Sequence, residues 1–210
     1  MRFPHTVILA NGSFPTAELP LEALHRTRRI VCCDGAAETL VAKTGLEPTL
    51  VVGDLDSLAE PERFADRLVR IGEQATNDLA KAYRVCLERH WHEVLFLGIT
   101  GKREDHTLGN LAHLVDFAEE GVVSAWTDEG IFTPVLRSTQ FASFPGQQVS
   151  IFSFDSGVTV YSEGLRYPLD GVVFDRWWRA TLNESLGDGF KLVFDGGPLL
   201  VFQTYRGGAA

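Results

Sequence analysis

Pro48-Thr49-Leu50-Val51-Val52-Gly53-Asp54-Leu55-Asp56-Ser57 is an apolar run that ends in a glycine and two carboxylates. A short apolar run bounded by turn residues fits a strand buried on both faces, as in a parallel sheet. Acids placed directly after it stand where the strand opens into a loop. The same arrangement recurs on either side. Val31-Cys32-Cys33 leads into Asp34-Gly35, Val69-Arg70-Ile71 runs toward Thr76-Asn77-Asp78, and Leu95-Phe96-Leu97 leads into Thr100-Gly101-Lys102-Arg103-Glu104-Asp105-His106. In an open parallel sheet the loops leaving the carboxyl ends of strands converge on one edge, so acids far apart in sequence meet in one crevice. The outline is that of a metal and phosphate site.

Outward from this stretch, apolar runs alternate with amphipathic segments, the pattern of an α/β layer fold. The runs predict strands at Thr6–Ala10, Arg29–Cys33, Leu50–Val52, Leu68–Ile71, Val94–Leu97 and Val122–Trp126. They form an open, mostly parallel sheet with helices on both faces, assigned to residues 1–140. Between them, Leu79, Ala82, Tyr83, Cys86 and His90 fall at helical spacing on one face and leave Asp78 and Lys81 together on another. In the next helix Leu108, Leu111, Ala112 and Val115 form the expected buried stripe, with His106, Asn110 and His113 on a different side. After Phe144-Pro145-Gly146 the pattern changes to short runs separated by turns such as Asp155-Ser156-Gly157 and Asp195-Gly196-Gly197-Pro198. Ser150–Phe154, Val158–Ser162, Gly171–Phe174, Lys191–Phe194 and Leu199–Thr204 read as antiparallel strands. Residues 141–210 are therefore expected to form a small antiparallel β-sandwich domain, with a Gly-Gly-Ala-Ala tail that frays.

The 210 residues, 45% of them hydrophobic, suffice for a buried core, and a net charge of −9 opposes nonspecific binding to nucleic acid or an anionic membrane. The expected partners are small molecules. Cys32, Cys33 and Cys86 lack metal-ligand spacing and read as reduced thiols. With no apolar leader or membrane-length segment, the expected location is the cytoplasm.

Asp54 and Asp56, one residue apart, point to the same side of an extended segment and can approach one divalent cation, with Mg²⁺ the cation such oxygen ligands suit. The alternative is an acidic turn that caps the next helix; the recurrence of acids at three other strand ends favours the metal. In the loop after Leu97, Arg103 can grip two phosphate oxygens in a fork, while Lys102 reads as a solvated charge. Asp105 lies at the start of a helix, and His106 beside it serves capping or packing as readily as catalysis. Asn11-Gly12-Ser13 and Asp34-Gly35 offer close backbone approach to a ligand or simply tight turns. His90-Trp91-His92 and His25-Arg26-Thr27-Arg28-Arg29 read as surface. Of the adjacent Trp177 and Trp178, one faces away from the local core and can fill a subunit interface.

Taken in order, Asp34-Gly35, Pro48 through Ser57, Asp78-x-x-Lys81-Ala82, Thr100 through His106 with Asn110, and Gly164-Leu165-Arg166-Tyr167-Pro168-Leu169 followed by Asn183 resemble the thiamine pyrophosphokinase family over nearly the whole chain. The resemblance implies transfer of a pyrophosphoryl group from ATP to the hydroxyl of thiamine, giving thiamine diphosphate and AMP. It also implies Mg²⁺ and a homodimer, with thiamine between the α/β domain of one subunit and the β-domain of the other. Carried over by position, Asp54, Asp56, Asp78 and Asp105 form the catalytic and metal set. Asp34, Arg103 and Asn110 resemble nucleotide-site residues, beside which Asn11, Gly35 and His106 are candidates from the residue reading above, and Tyr167 and Asn183 resemble thiamine-site residues.

The sequence departs from the family pattern at Ala75, where an acid is common, at Lys102, where a glycine is usual, and at Leu182, where a serine usually precedes the asparagine. Two other readings compete. Asp54-Leu55-Asp56 after a strand also suits an aspartate-nucleophile phosphatase, and the whole chain could be a noncatalytic module that senses a nucleotide or thiamine.

Overall fold

The computed structural model describes residues 3–207, so the terminal residues expected to fray lie, from 208 onward, outside the described residues. The chain divides into two compact units. The first comprises the residues up to 113 with 120–128, the second 114–119 with the residues from 129 onward.

In the first unit the elements are β1 (Thr6–Leu9), α1 (Glu18–Arg26), β2 (Arg29–Cys33), α2 (Ala36–Thr44), β3 (Leu50–Gly53), a 3-10 helix (Pro61–Arg67), β4 (Leu68–Arg70), α3 (Asp78–Glu88), β5 (Glu93–Leu97), α4 (Glu104–Phe117), whose residues from 114 onward count with the second unit, and β6 (Val122–Trp126). The six strands are all parallel, in the order β6-β5-β1-β2-β3-β4. Val7, Ile8, Val31, Cys32, Val51, Val52, Leu95 and Phe96 are fully buried, which is why each central strand reads as an unbroken apolar run. Helix α3 packs on β1, β2 and β3 through Leu79, Ala82, Tyr83 and Cys86. His90 does not share that face: it lies past the helix end, exposed, in the left-handed region at φ 59°. Helix α1 has no side-chain cap of its own. Asp128 supplies one from far along the chain, accepting from the Thr16 and Ala17 amides at 2.8 and 2.9 Å and from the Thr16 hydroxyl at 2.6 Å.

In the second unit β7 (Gly130–Val135), β9 (Gln148–Phe152), β12 (Ala180–Glu184) and β14 (Leu199–Thr204) form one antiparallel set in the order β12-β9-β14-β7. The others, β8 (Thr139–Ala142), β10 (Thr159–Glu163), β11 (Val172–Val173) and β13 (Gly189–Asp195), form a second sheet in the order β11-β10-β13-β8. Inward residues of both sets, including Val149, Ile151, Leu199 and Val201 from one and Phe141, Val160, Phe190 and Leu192 from the other, share one core. The unit is thus a β-sandwich. It begins before residue 141, because β7 pairs with β14 along its whole length, from Gly130 opposite Thr204 to Val135 opposite Leu199. That pairing spans some seventy residues of chain and leaves no local sequence signal.

Candidate active site at the carboxyl edge of the parallel sheet

Strand order reverses at β1, which has β2 on one side and β5 on the other, and such a switch point is where open α/β sheets bind ligands. The loops after β1 and β5 run together there: the amides of Ala10, Gly12 and Ser13 donate to the carbonyls of Leu97, Gly98 and Thr100 at 2.8–2.9 Å. A side chain at Gly12 would put its Cβ 2.2 Å from the Gly98 carbonyl oxygen and 2.5 Å from that of Thr100. Only glycine permits this approach.

Beside the switch point three acids from successive strand ends meet. Asp34 follows β2, Asp54 follows β3, and Asp78 opens α3. One carboxylate oxygen of each lies within 4.8 Å of the others. Gly53 makes room for them, since a Cβ there would sit 3.2 Å from the Cβ of Asp34 and 3.5 Å from the carboxyl carbon of Asp78. Asp34 is buried in a left-handed turn at φ 44°. Its Oδ2 accepts from the Ser57 amide at 3.3 Å, while Oδ1 is buried without a hydrogen-bond partner. Loss of water pushes its carboxyl up to about 6; the Ser57 amide opposes this, and the charges of Asp78, Asp56 and Asp54 add to it. Asp54 is held below the usual carboxylate range by hydrogen bonds from Gln74 and the Asp56 amide. Asp78 is paired with Lys81 at 3.0 Å, and the lysine is almost wholly buried.

The other two predicted acids stand differently. Leu55 adopts φ 69°, a corner in the chain, so Asp54 and Asp56 do not lie on one side of an extended segment as expected. Asp56 is exposed and accepts from the Ser57 hydroxyl at 3.1 Å. Asp105 is exposed and held by Arg103 through Nε at 3.1 Å and Nη2 at 2.5 Å. The Arg103 contact, above all, keeps its carboxyl low. The structure therefore brings Asp34, Asp54 and Asp78 together and leaves Asp56 and Asp105 outside that trio.

Asp54, Asp78, Asn11, Arg103, His106 and Asn110 all line one pocket of about 410 Å³. Gly35 lies outside that lining and opens α2, where a Cβ would come 2.9 Å from the Ser57 carbonyl. Asn110 is not on the open side of its helix. It is buried, accepts from Asn77 Nδ2 at 3.0 Å and donates to the Ile99 carbonyl at 2.9 Å, tying the start of α3 to the loop after β5. Leu108, expected in the stripe, is 53% exposed instead. Lys102, which reads as a solvated charge, lines the pocket and donates to Asn11 Oδ1 at 3.1 Å. Lys81 and Gln74 also line the site without a role assigned from the sequence. Lys81 was signalled by its place three residues from Asp78 and in the Asp78-x-x-Lys81-Ala82 motif, and Gln74 carried no signal. Cys33 donates its thiol to the Asp78 carbonyl at 3.6 Å, and burial raises that thiol far above its ordinary value, so it is no nucleophile.

In the second unit Tyr167 is 60% exposed and Asn183 is buried, its amide bonded to the Tyr167 backbone.

A parallel α/β sheet with clustered carboxylates, a forked arginine and lysines at its switch point suits an enzyme of phosphoryl-transfer type, which works by positioning and charge neutralisation. Comparison with family models matches residues 21–123 to the thiamin pyrophosphokinase catalytic domain and 130–202 to the thiamin pyrophosphokinase substrate-binding domain. Between them they cover most of the chain, which belongs to the thiamin pyrophosphokinase family, ATP-dependent pyrophosphotransferases. Its fold is that of thiamin pyrophosphokinase from Geobacillus thermodenitrificans (21% identity, TM-score 0.79, 98% of this chain and 99% of that one). It is also that of the enzymes from Candida albicans (17%, 0.80, 97% and 90%) and yeast (15%, 0.77, 98% and 88%). Comparison with curated protein sequences gives no significant match.

Proposed function

We propose that this chain transfers the pyrophosphoryl group of ATP to the hydroxyl of thiamine, giving thiamine diphosphate and AMP, with Mg²⁺ held by the acids of the first unit. The observation that carries the reading is the trio of Asp34, Asp54 and Asp78, with one buried oxygen that has no donor. Three hard oxygen ligands and an unsatisfied carboxylate fit a divalent cation of the Mg²⁺ type, and the protonated Cys33 thiol beside them does not compete. Asp34, Asp54 and Asp78 hold the ion, with Asp56 and Asp105 at the margin of the same site. When bound, Mg²⁺ neutralises phosphate oxygens.

The protein's own groups do the rest. Arg103 turns its fork to the phosphates, and Lys102 adds a point charge beside Asn11. Asn11, Gly35 and His106 form the nucleotide side, and Asn110 keeps the loop after β5 in place. Asp56 or Asp78 accepts the proton that leaves the thiamine hydroxyl. The thiazolium ring is cationic, and the exposed ring of Tyr167 supplies an aromatic face suited to it. We propose further that the enzyme is a homodimer in which thiamine contacts both copies, a point light scattering tests. The cytoplasm is its proposed location, in keeping with three unpaired cysteines.

The test is incubation with ATP, Mg²⁺ and thiamine. AMP and thiamine diphosphate appear in equal amounts, neither forms without thiamine, and Asp54→Asn abolishes both while the protein stays folded. Release of inorganic phosphate through a phospho-aspartate, or binding with no AMP, overturns the reading.

A further inference from the structure

Asn183 has almost no capacity left for a ligand. Its Oδ1 accepts two amides, from Tyr167 at 3.1 Å and Glu184 at 2.8 Å, and its Nδ2 donates to the Tyr167 carbonyl at 2.7 Å. Both lone pairs of the acceptor and one of two donor hydrogens are thereby used inside the protein. The side chain is 3% exposed. Both backbone polar groups of Tyr167 end on this one amide, yet the tyrosine itself remains 60% exposed.

The surrounding strand is shaped to make this contact. Register in the pairing of β12 with β9 shifts between Ala180 and Asn183, and Leu182 within the bulge takes φ 58°. A leucine in the left-handed region is strained and persists only where its surroundings impose it. Here the Leu182 amide is fixed by Ser150 Oγ at 3.0 Å. On the far side of Asn183 the chain is pinned again, by the Arg166 amide on the Glu184 carbonyl at 2.8 Å and by the bridge between Leu165 and Ser185. Asn183 thus acts as a surrogate strand partner at the point where Tyr167 leaves the sheet. An aromatic ring on a clamped backbone loses little freedom when a ligand docks on it.

We propose that Asn183 is a positioning residue for thiamine: it touches no substrate and works by clamping Tyr167 so that the ring is presented in one orientation. This rests on the thiamine-site reading of Tyr167 given above, and the experiment separates the two.

In the full-length enzyme, Asn183→Ala raises the KM for thiamine about tenfold, the effect of losing a small set of hydrogen bonds, while kcat and the KM for ATP stay within about twofold. Asn183→Asp, which keeps both acceptor contacts but sets a carboxylate oxygen against the Tyr167 carbonyl, does not rescue the thiamine KM. Tyr167→Ala raises the thiamine KM at least as much, and adding Asn183→Ala to it changes nothing more, because both act through one ring. An equal further loss in the Tyr167→Ala background overturns the proposal and makes Asn183 a direct contact. Hydrogen exchange supplies a readout independent of turnover: the Tyr167 amide exchanges at least about tenfold faster in Asn183→Ala while β14 is unchanged. Unchanged exchange overturns the clamp. Should Asn183→Ala not fold, Asn183→Ser carries the same comparisons. If wild type forms no AMP with thiamine, the activity reading falls, and the exchange measurement still decides the clamp.

Discussion

Asp34→Asn separates what the acid trio does for the reaction from what it costs the fold. The backbone at this position is left-handed, φ 44°, where asparagine is among the few side chains readily tolerated, so the substitution changes charge and little else. The Ser57 amide keeps an acceptor. What is removed is a carboxylate whose ordinary value of 3.8 is pushed up to about 6 by burial and by the neighbouring acids. A rise of that size sets a ceiling of about 3 kcal/mol between the two protonation states. The sign follows from the direction. A carboxyl raised on folding favours the native state below about pH 4, loses that advantage as pH climbs through 6, and leaves the ionised native protein carrying the full burden at pH 7.5.

In metal-free buffer Asp34→Asn therefore melts higher than wild type at pH 7.5, by roughly 5 °C for a gain of half the ceiling in a chain of this length. The difference shrinks toward zero near pH 4. Titration with Mg²⁺ then reverses the order: wild type gains stability in proportion to occupancy, the variant gains little, and AMP formation is lost in the variant alone. Differential scanning fluorimetry across pH and Mg²⁺ concentration reads all three. A variant that melts lower than wild type in chelator at pH 7.5, or that keeps the full Mg²⁺ response, refutes the argument that Asp34 is a strained carboxylate retained for a cation.

Other outcomes follow from the same geometry. Gly12→Ala drives a methyl into two carbonyl oxygens and is expected to destabilise by about 2 kcal/mol or more, with loss of turnover, read by urea unfolding and AMP release. Lys81→Met leaves Asp78 unpaired beside two other acids; the metal-free protein loses about 2 kcal/mol, below the usual penalty for a broken buried pair because a third of the Asp78 side chain meets water, and Mg²⁺ restores part of it in urea titrations. Arg103→Lys keeps the charge and removes the fork, so kcat/KM for ATP falls at least about tenfold while the KM for thiamine holds, as steady-state kinetics will show.

How much of this was legible in the sequence depends on how local the determining forces are. The central parallel strands of the first unit could be read because burial on both faces writes an unbroken apolar run, and β2 and β6 match their expected limits. In the second unit β7, β8 and β12 went unread. Pro134 lies inside β7 opposite Leu200, and proline normally argues against a strand. The Leu182 bulge breaks the alternation of β12, and the partners that hold β7 in place lie at the far end of the chain.

The site divides along the same line. That acids following β2, β3, β4 and β5 would converge was expected from topology; Asp34, Asp54 and Asp78 do converge, and Asp105 after β5 stays outside their trio. Which acid of Asp54-Leu55-Asp56 would face inward depended on the dihedral of a leucine, which nothing in the local sequence announces. The use of Asn110 and Asn183 as internal ties was equally hidden, because an asparagine reads the same whether its amide meets a ligand or the backbone. The trio itself argues for function on energetic grounds. Three carboxylates with oxygens within 4.8 Å of one another, a lysine paired with one of them and one oxygen without a donor, make a locally repulsive arrangement. Asp54 and Asp78 are only partly buried, and neutral side chains at all three positions would relieve the repulsion with little loss of packing. An arrangement that works against the fold and opens into a pocket at the switch point of a parallel sheet fits the cation and polyphosphate proposed for it.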